Sequence, residues 1–277
     1  MTNGPSDAAR PYAEVIGDPI SHSKSPLIHS FWLDALDIAA DYRRCHVRHD
    51  ELADYLAARA DDPHWRGCNV TLPHKLAVMD LVEDPGDVRA GIGAMNTLLR
   101  QPDGTIIGTN TDAGGFWTPL TDLELAGREV VVVGAGGAAR AVLFALKQVG
   151  CGPVTILNRN VLKASALLAR FGLNGRALPL DARLPAAALL VNASALGMSG
   201  QPPLELDLAP LPDDALVYDI VYAPLATPLL IQAEERGLHT VDGLEMLVGQ
   251  AALAFELFFG APPPRERDAE LRELLLA

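Results

Sequence analysis

Apolar positions in this chain fall into short β-branched runs separated by longer stretches in which they recur every three or four residues, the pattern of buried strands alternating with amphipathic helices. Strands are predicted over residues 13–16, 40–45, 67–70 and 105–108, and helices over 26–36, 51–59 and 74–81. A second series begins near Asp112, with a helix through 116–120, strand 129–133, helix 137–149, strand 154–158, helix 161–171 and strands 189–192 and 216–220. Repeated strand-then-helix units build a parallel sheet covered on both faces, because a parallel connection needs a crossover long enough to hold a helix. The last periodic segment, 246–259, arrives after the second series is complete and is expected to return to the first. The Pro-rich stretch 202–211 reads as a surface loop, and the charged segment 265–275 as a helix with no need of tight docking.

Composition narrows the possible partners. A chain of 277 residues exceeds the usual single-domain size of about 100–200 residues, so two cores are expected. Hydrophobic residues at 49% and charged residues at 21% describe a compact globular protein. A net charge of -13 with no basic block disfavours nucleic acid as a partner. An anionic ligand must then be held by a few placed cations, hydroxyls or helix N-termini. Cys45, Cys68 and Cys151 are an odd number with no Cys-x-x-Cys pair, which suggests neither disulfides nor a metal site and fits a reducing compartment. His46 and His49 stand three apart with no third ligand, so surface histidines are expected there. The first ten residues are polar rather than signal-like, and no apolar run reaches membrane-spanning length, so a cytoplasmic protein with no membrane partner is expected.

Four valines, 130–133, lead directly into Gly134-Ala135-Gly136-Gly137-Ala138-Ala139, a Gly-x-Gly-x-x-Ala turn that opens an Ala-rich helix. In that setting the first glycine permits the tight turn, the second lets the backbone approach a pyrophosphate, and the small sixth residue packs the helix on the strand. Gly134, Ala135, Gly136, Gly137 and Ala138 are therefore the candidate dinucleotide-binding residues. A turn that binds nothing is the competing interpretation, and the strand before it and the helix after it argue against that. An NAD site would place a carboxylate about 20 residues further on, for the ribose hydroxyls. Here the run is Asn158-Arg159-Asn160, with Lys163 one helical turn on. A neutral Asn158 removes repulsion toward a 2′-phosphate, and Arg159 offers a planar bidentate donor, so the expected cofactor is NADP(H).

The N-terminal half carries its polar motifs at predicted loops. Gly17-Asp18-Pro19-Ile20-Ser21-His22-Ser23-Lys24-Ser25-Pro26 runs from a strand into a Pro-started helix, where Ser23, Ser25 and the first-turn amides can converge on a carboxylate. Ser25 as a simple helix cap is the alternative, but it leaves the Ser-Lys-Ser run unexplained. With Asn69-Val70-Thr71-Leu72-Pro73-His74-Lys75, Gly93-Ala94-Met95-Asn96-Thr97 and Gly108-Thr109-Asn110-Thr111-Asp112, the chain resembles the shikimate dehydrogenase family. The resemblance continues through Asn192-Ala193-Ser194, Tyr218-Asp219-Ile220-Val221-Tyr222-Ala223-Pro224, Thr227-Pro228-Leu229 and Met246-Leu247-Val248-Gly249-Gln250-Ala251, covering residues 12 to 260.

That resemblance implies an α/β enzyme with an N-terminal substrate domain (residues 1–111 plus 245–277, the C-terminal helices returning to it) and a doubly wound Rossmann-type NADP domain (residues 112–244). It implies NADPH-dependent, reversible reduction of 3-dehydroshikimate to shikimate in aromatic amino-acid biosynthesis, in a cleft between the domains. It assigns catalysis to Lys75 and Asp112, the carboxylate to Ser23 and Ser25, ring hydroxyls to Asn96, Asp112 and Gln250, and the pocket wall to Thr71 and Tyr222. The chemistry agrees, since hydride addition to a ketone leaves a developing alkoxide that needs a proton donor or a cation. A surface lysine and a helix-capping aspartate are the plain alternatives for Lys75 and Asp112. A paralogue acting on quinate or an amino-substituted analogue is the nearest competitor, although the two serines fit the shikimate subgroup. A silent NADP-binding regulator is the competitor from another class, and retention of both Lys75 and Asp112 opposes it. Glu245 and Asn160 depart from the family pattern, where Gly and Thr are common, so they bear on detail rather than class. Monomer and homodimer are equally compatible with the sequence.

Overall fold

The computed structural model describes residues 10–277; residues 1–9, which make up most of the polar N-terminal segment read above, lie outside the described residues. Two compact units are present among the described residues, one of 10–89, 95–109 and 251–277, the other of Ala90–Ala94 and Asn110–Gln250.

The first unit is built on β1 (Tyr12–Gly17), α1 (Ser25–Ala35), β2 (Asp41–His46), α2 (Leu52–Ala60), β3 (Trp65–Val70), α3 (Val88–Gly91), β4 (Thr97–Arg100) and β5 (Ile106–Thr109), with α3 running across the boundary between units. Its five strands are ordered β2-β1-β3-β4-β5. β2, β1 and β3 are parallel, and β4 and β5 form an antiparallel hairpin. Every residue of β1 is buried, as a central parallel strand requires. Glu14 on that strand is no exception, because Tyr55 Oη (2.8 Å) and the Arg59 Nε (2.8 Å) and Nη2 (3.1 Å) donate to its carboxylate. An aromatic cluster packs α1 to β2, with His29 stacked on Tyr42 at 3.8 Å and flanked by Trp32 and Phe255. Burial keeps that imidazole neutral, its pKa pulled down to about 3.

Two expectations for this unit are corrected. Residues 74–81 do not form an α-helix; after a run of turns, only a short 3-10 segment, Ala77–Asp80, appears. The Met95 amide takes the Lys75 carbonyl (2.8 Å), and Met79 N–H bonds instead to Leu76 O. The C-terminal charged segment is a docked helix, α9 (Asp268–Leu276), with Leu271 and Leu275 buried and the Arg267 guanidinium 4.7 Å from the Phe31 ring centroid on α1. β4 had no counterpart in the sequence reading, since four residues of mixed pattern carry no period.

The second unit follows α4 (Asp112–Trp117) with β6 (Val130–Val133), α5 (Gly137–Gln148), β7 (Val154–Leu157), α6 (Val161–Phe171), β8 (Gly175–Leu178), β9 (Leu189–Asn192), β10 (Leu216–Asp219), α7 (Pro228–Glu235) and β11 (His239–Val241). α8 (Gly243–Phe259) begins in this unit and ends in the first. Six parallel strands run β11-β10-β9-β6-β7-β8, the doubly wound α/β sheet expected. The four valines of β6 are all apolar because both faces are covered. Val130 and Val132 pack with Val142 and Leu146 of α5, whereas Val131 and Val133 face Leu208, Leu229 and Leu230. The Pro-rich segment 202–211 is therefore not a surface loop in the energetic sense. It has no regular structure, yet Leu204, Leu206, Leu208 and Leu211 are all buried and close the second face of the sheet.

Leu208→Ala is expected to lower unfolding free energy by about 2–4 kcal/mol, as for a core leucine, and Leu162→Ala by under about 0.5 kcal/mol. Leu208 is 1% exposed and Leu162 83%. Urea midpoints of the two variants check this; equal midpoints would mean that segment 202–211 does not belong to the core.

Candidate active site

In the first unit the chain leaves β1 on one side of the sheet's change of direction and leaves β3 on the other, so their carboxyl-end loops flank the point where such folds leave a crevice. The β1 loop carries Ser23 and Ser25. Lys24, not Ser25, is the N-cap of α1, and it makes no side-chain cap bond; Ser25 is the first helical residue, followed by Pro26. Ser25 N–H donates to Ser23 Oγ (3.3 Å), which leaves the Ser23 hydroxyl proton available for another acceptor.

Backbone bonds lock the neighbouring loops to this one. Thr71 N–H donates to Ile16 O (2.9 Å) and Asp18 N–H to Leu72 O (3.1 Å), joining the β3 loop to the end of β1. Val70 N–H donates to Asn96 O (2.7 Å), Asn96 N–H to Thr109 O (3.1 Å) and Met95 N–H to Lys75 O (2.8 Å). Thr71 and Lys75 are half-buried and Asn96 is buried. A side-chain chain supports Asn96 from below: Tyr42 Oη donates to Asn69 Oδ1 (2.6 Å), Asn69 Nδ2 to Thr97 Oγ1 (3.1 Å), and Thr97 Oγ1 to Asn96 Oδ1 (3.1 Å). Ser23, Ser25, Thr71, Lys75 and Asn96 thus belong to one unit and one edge of one sheet. The neighbouring histidines serve structure, with buried His74 Nε2 2.6 Å from Val47 O and His46 paired with Asp18 at 2.7 Å.

In the second unit Gly134 ends β6 with φ of +110°, and a Cβ there would lie 2.8 Å from Ala193 O. A Cβ on Gly136 would meet nothing within 4 Å, so the turn faces open space where a pyrophosphate can approach the backbone. Gly136 is the N-cap of α5 without a side-chain cap bond, and no acid stands in that helix's first turn. At the end of β7, Asn158 is half-buried while Arg159 and Lys163 are exposed. These groups fit a phosphorylated dinucleotide. Asn160 has a local task instead: its Oδ1 caps α6 by accepting from Lys163 N–H (3.0 Å), and its carbonyl accepts from Asn158 Nδ2 (2.8 Å).

Asp112, Tyr222 and Gln250 also belong to the second unit. Asp112 is the first residue of α4 and buried, without the helix-capping role open to it, since Thr111 occupies the cap position. Gly115, one turn on, lies against α8 so closely that a Cβ would sit 2.4 Å from Gln250 N. That crossing sets the short helix α4, which opens on Asp112, against the middle of α8 at Gln250. Tyr222 follows β10 and is half-buried.

The sequence reading quoted Asp219, Asn192 and Thr227 without giving them roles, and the structure joins them. Asp219 is fully buried at the end of β10 and accepts from Asn192 Nδ2 (2.9 Å), Val221 N–H (3.0 Å) and Thr227 Oγ1 (2.8 Å). Asn192 Oδ1 accepts from Ser194 N–H (3.1 Å) and Oγ (2.7 Å). The network fixes the loops after β9 and β10, the first beside Gly134 and the second leading to Tyr222. Polar residues ending otherwise apolar strands were the available signal.

Comparison with known proteins follows the same residues. Residues 15–98 match the family model for the shikimate dehydrogenase substrate binding domain, 120–194 that for shikimate / quinate 5-dehydrogenase, and 243–270 that for the shikimate 5′-dehydrogenase C-terminal domain. A shikimate dehydrogenase (NADP(+)) from Sphingopyxis alaskensis is 70% identical over 97% of this chain and 98% of its own length. The Thermus thermophilus shikimate 5-dehydrogenase solved with NADP(H) and shikimate superposes with a TM-score of 0.85 at 37% identity, covering 96% of this chain and 100% of that one. Quinate dehydrogenase from Corynebacterium glutamicum, in complex with NAD, superposes at 0.86 with 30% identity over 96% and 99% of the two chains.

Burial pushes the Asp219 carboxyl up from 3.8 to about 6, against the pull of its three hydrogen bonds. Between those values the native protein binds the proton more tightly than the unfolded chain does. Asp219's own contribution to stability is therefore expected to fall as pH rises from about 4 to about 6, by up to about 3 kcal/mol, while buried His29, with its lowered pKa, contributes the opposite slope over that range. Asp219→Asn should remove that slope from the difference between urea midpoints at pH 4 and pH 6.5; an unchanged difference would assign the slope to other groups.

Proposed function

The chain belongs to the shikimate dehydrogenase family, and from that premise we propose how its own residues carry the reaction. The protein is an NADP-dependent oxidoreductase that interconverts 3-dehydroshikimate and shikimate, a step in aromatic amino-acid biosynthesis. The observation that supports the residue assignment is the backbone-locked end of the first unit's sheet, where Thr71, Lys75 and Asn96 are held by the bonds described above and the β3 loop is bonded to Asp18, at the start of the loop that carries Ser23.

The Ser23 and Ser25 hydroxyls take the substrate carboxylate, the Ser23 proton being available because its oxygen accepts from Ser25 N–H. Asn96, Asp112 and Gln250 orient the ring hydroxyls, and Thr71 and Tyr222 wall the ring. When bound, NADPH supplies the hydride. Lys75, with Asp112, handles the proton at the carbonyl oxygen, placing positive charge where negative charge develops and delivering the proton that completes the hydroxyl. The α5 turn from Gly134 to Ala138 holds the pyrophosphate through its backbone amides, and Arg159 with Asn158 and Lys163 takes the 2′-phosphate. Asn160 acts there through its cap on α6. The domain division follows this chemistry: residues 1–111 with 245–277 hold substrate, and residues 112–244 hold cofactor. The free cysteines Cys45, Cys68 and Cys151 support a cytoplasmic setting. Among the described residues no helix is long and apolar enough to cross a membrane.

A steady-state assay with NADP+ and shikimate, repeated with quinate, tests the reading. Turnover is expected with shikimate and much less with quinate; a preference for quinate would overturn the substrate assignment. Lys75→Ala should lower kcat by about 100-fold or more while the KM for shikimate changes by less than about fivefold. Near-normal kcat would remove Lys75 from the mechanism. Arg159→Ala should raise the KM for NADPH by about tenfold or more and leave that for NADH nearly unchanged, and equal effects on both would refute its phosphate role.

A further inference from the structure

The Ser23-Lys24-Ser25 loop is gripped by two cations that the reaction does not use. Arg44 on β2 places both Nε (2.9 Å) and Nη2 (2.5 Å) on the Ser23 carbonyl oxygen. Its strand is fixed against β1 in register, Arg44 opposite Val15. The Ser23 amide is also committed, donating to Ile20 O (3.1 Å). Both peptide groups flanking the Ser23 side chain are therefore held. From the other side, Lys24 Nζ donates to the carbonyl of Leu275, in the last turn of α9. Carbonyls there lack intrahelical partners and lie at the negative end of the helix dipole, so an ammonium is the group that suits them. α9 in turn is anchored on α1 by buried Leu271 and Leu275 and by Arg267 over Phe31.

We propose that Arg44, and through Lys24 the C-terminal helix α9, are positioning elements for substrate binding. They hold the Ser23–Ser25 loop in the shape that receives a carboxylate, and they place two positive charges on that loop in a chain whose net charge is -13. The inference rests on the reading of Ser23 and Ser25 as the carboxylate site. A guanidinium bonded twice to one carbonyl fixes a peptide plane more tightly than a single donor can. Neither cation touches the reacting atoms, so their loss acts on substrate affinity and not on the chemical step.

The test compares Arg44→Met, Arg44→Lys, Lys24→Met and Ser23→Ala with the parent enzyme, measuring kcat, KM for shikimate, KM for NADP+ and melting temperature. Arg44→Met is expected to raise the KM for shikimate about tenfold, with kcat and the KM for NADP+ within about twofold. Arg44→Lys should recover part of that loss, and Lys24→Met should raise the same KM about threefold. A shikimate KM within about twofold of the parent in Arg44→Met overturns the inference, as does a parallel rise in both KM values with a lowered melting temperature. An unaffected Lys24→Met removes α9 from the brace. If Ser23→Ala itself leaves the KM for shikimate unchanged, the carboxylate assignment fails and this inference with it. If Ser23→Ala raises the KM and Arg44→Met does not, only the bracing role fails.

Discussion

One backbone hydrogen bond, from the Met95 amide to the Lys75 carbonyl, sets the form of the first unit's functional edge. A backbone carbonyl in a partly buried loop needs a partner; with that of Lys75 taken by Met95, Met79 N–H turns to Leu76 O, and the single α-type bond from Val78 N–H to His74 O does not extend into a helix. The bond therefore keeps Lys75 on an irregular, half-buried stretch instead of a solvent-facing helical turn. It also leaves Asn96, the next residue after Met95, bridging β3 and β5 through its own carbonyl and amide. Lys75 and Asn96 are thus placed by main-chain geometry, which side-chain motion does not disturb.

The second unit solves the same problem with a buried carboxylate. Asp219 organises loops whose amides and hydroxyls would otherwise end strands β9 and β10 without partners. Burying an acid is costly, and the raised pKa of about 6 registers that cost. The compensation is a defined path for the chain beside Gly134 and on to Tyr222. Both units therefore fix their loops at the carboxyl ends of their strands, where ligands meet α/β sheets, the first by main-chain bonds and the second by a buried acid.

What the sequence reveals follows from how far each feature depends on local pattern. The β6 turn and α5 are legible because strand, glycines and helix are contiguous, and helix 161–171 because its period is complete and its Asn160 cap marks the start. β4, β8 and β11 are hidden because their few residues are of mixed type, unlike the equally short but wholly apolar β6, and β8 and β11 are edge strands with exposed faces. The false helix at 74–81 and the mislabelled loop at 202–211 share one cause. Each is decided by a partner distant in sequence, Met95 in the first case and the open face of the β6 sheet in the second. At the site, motif residues such as Ser23 and Lys75 stand out by type, whereas Arg44 does not, since an exposed arginine on a strand gives no sign of the carbonyl it holds.

The strand order of the first unit leaves β2 at an edge, with one row of backbone amides and carbonyls open to any extended chain that drifts past. That strand reads Asp41-Tyr42-Arg43-Arg44-Cys45-His46, and Arg43, Arg44 and His46 are all exposed. Charged side chains along such a border repel another copy's border and raise the cost of joining it, so the same arginine that grips a loop inside its own fold also guards the sheet against growing into the next molecule. Edge protection and loop shape meet there in a single side chain.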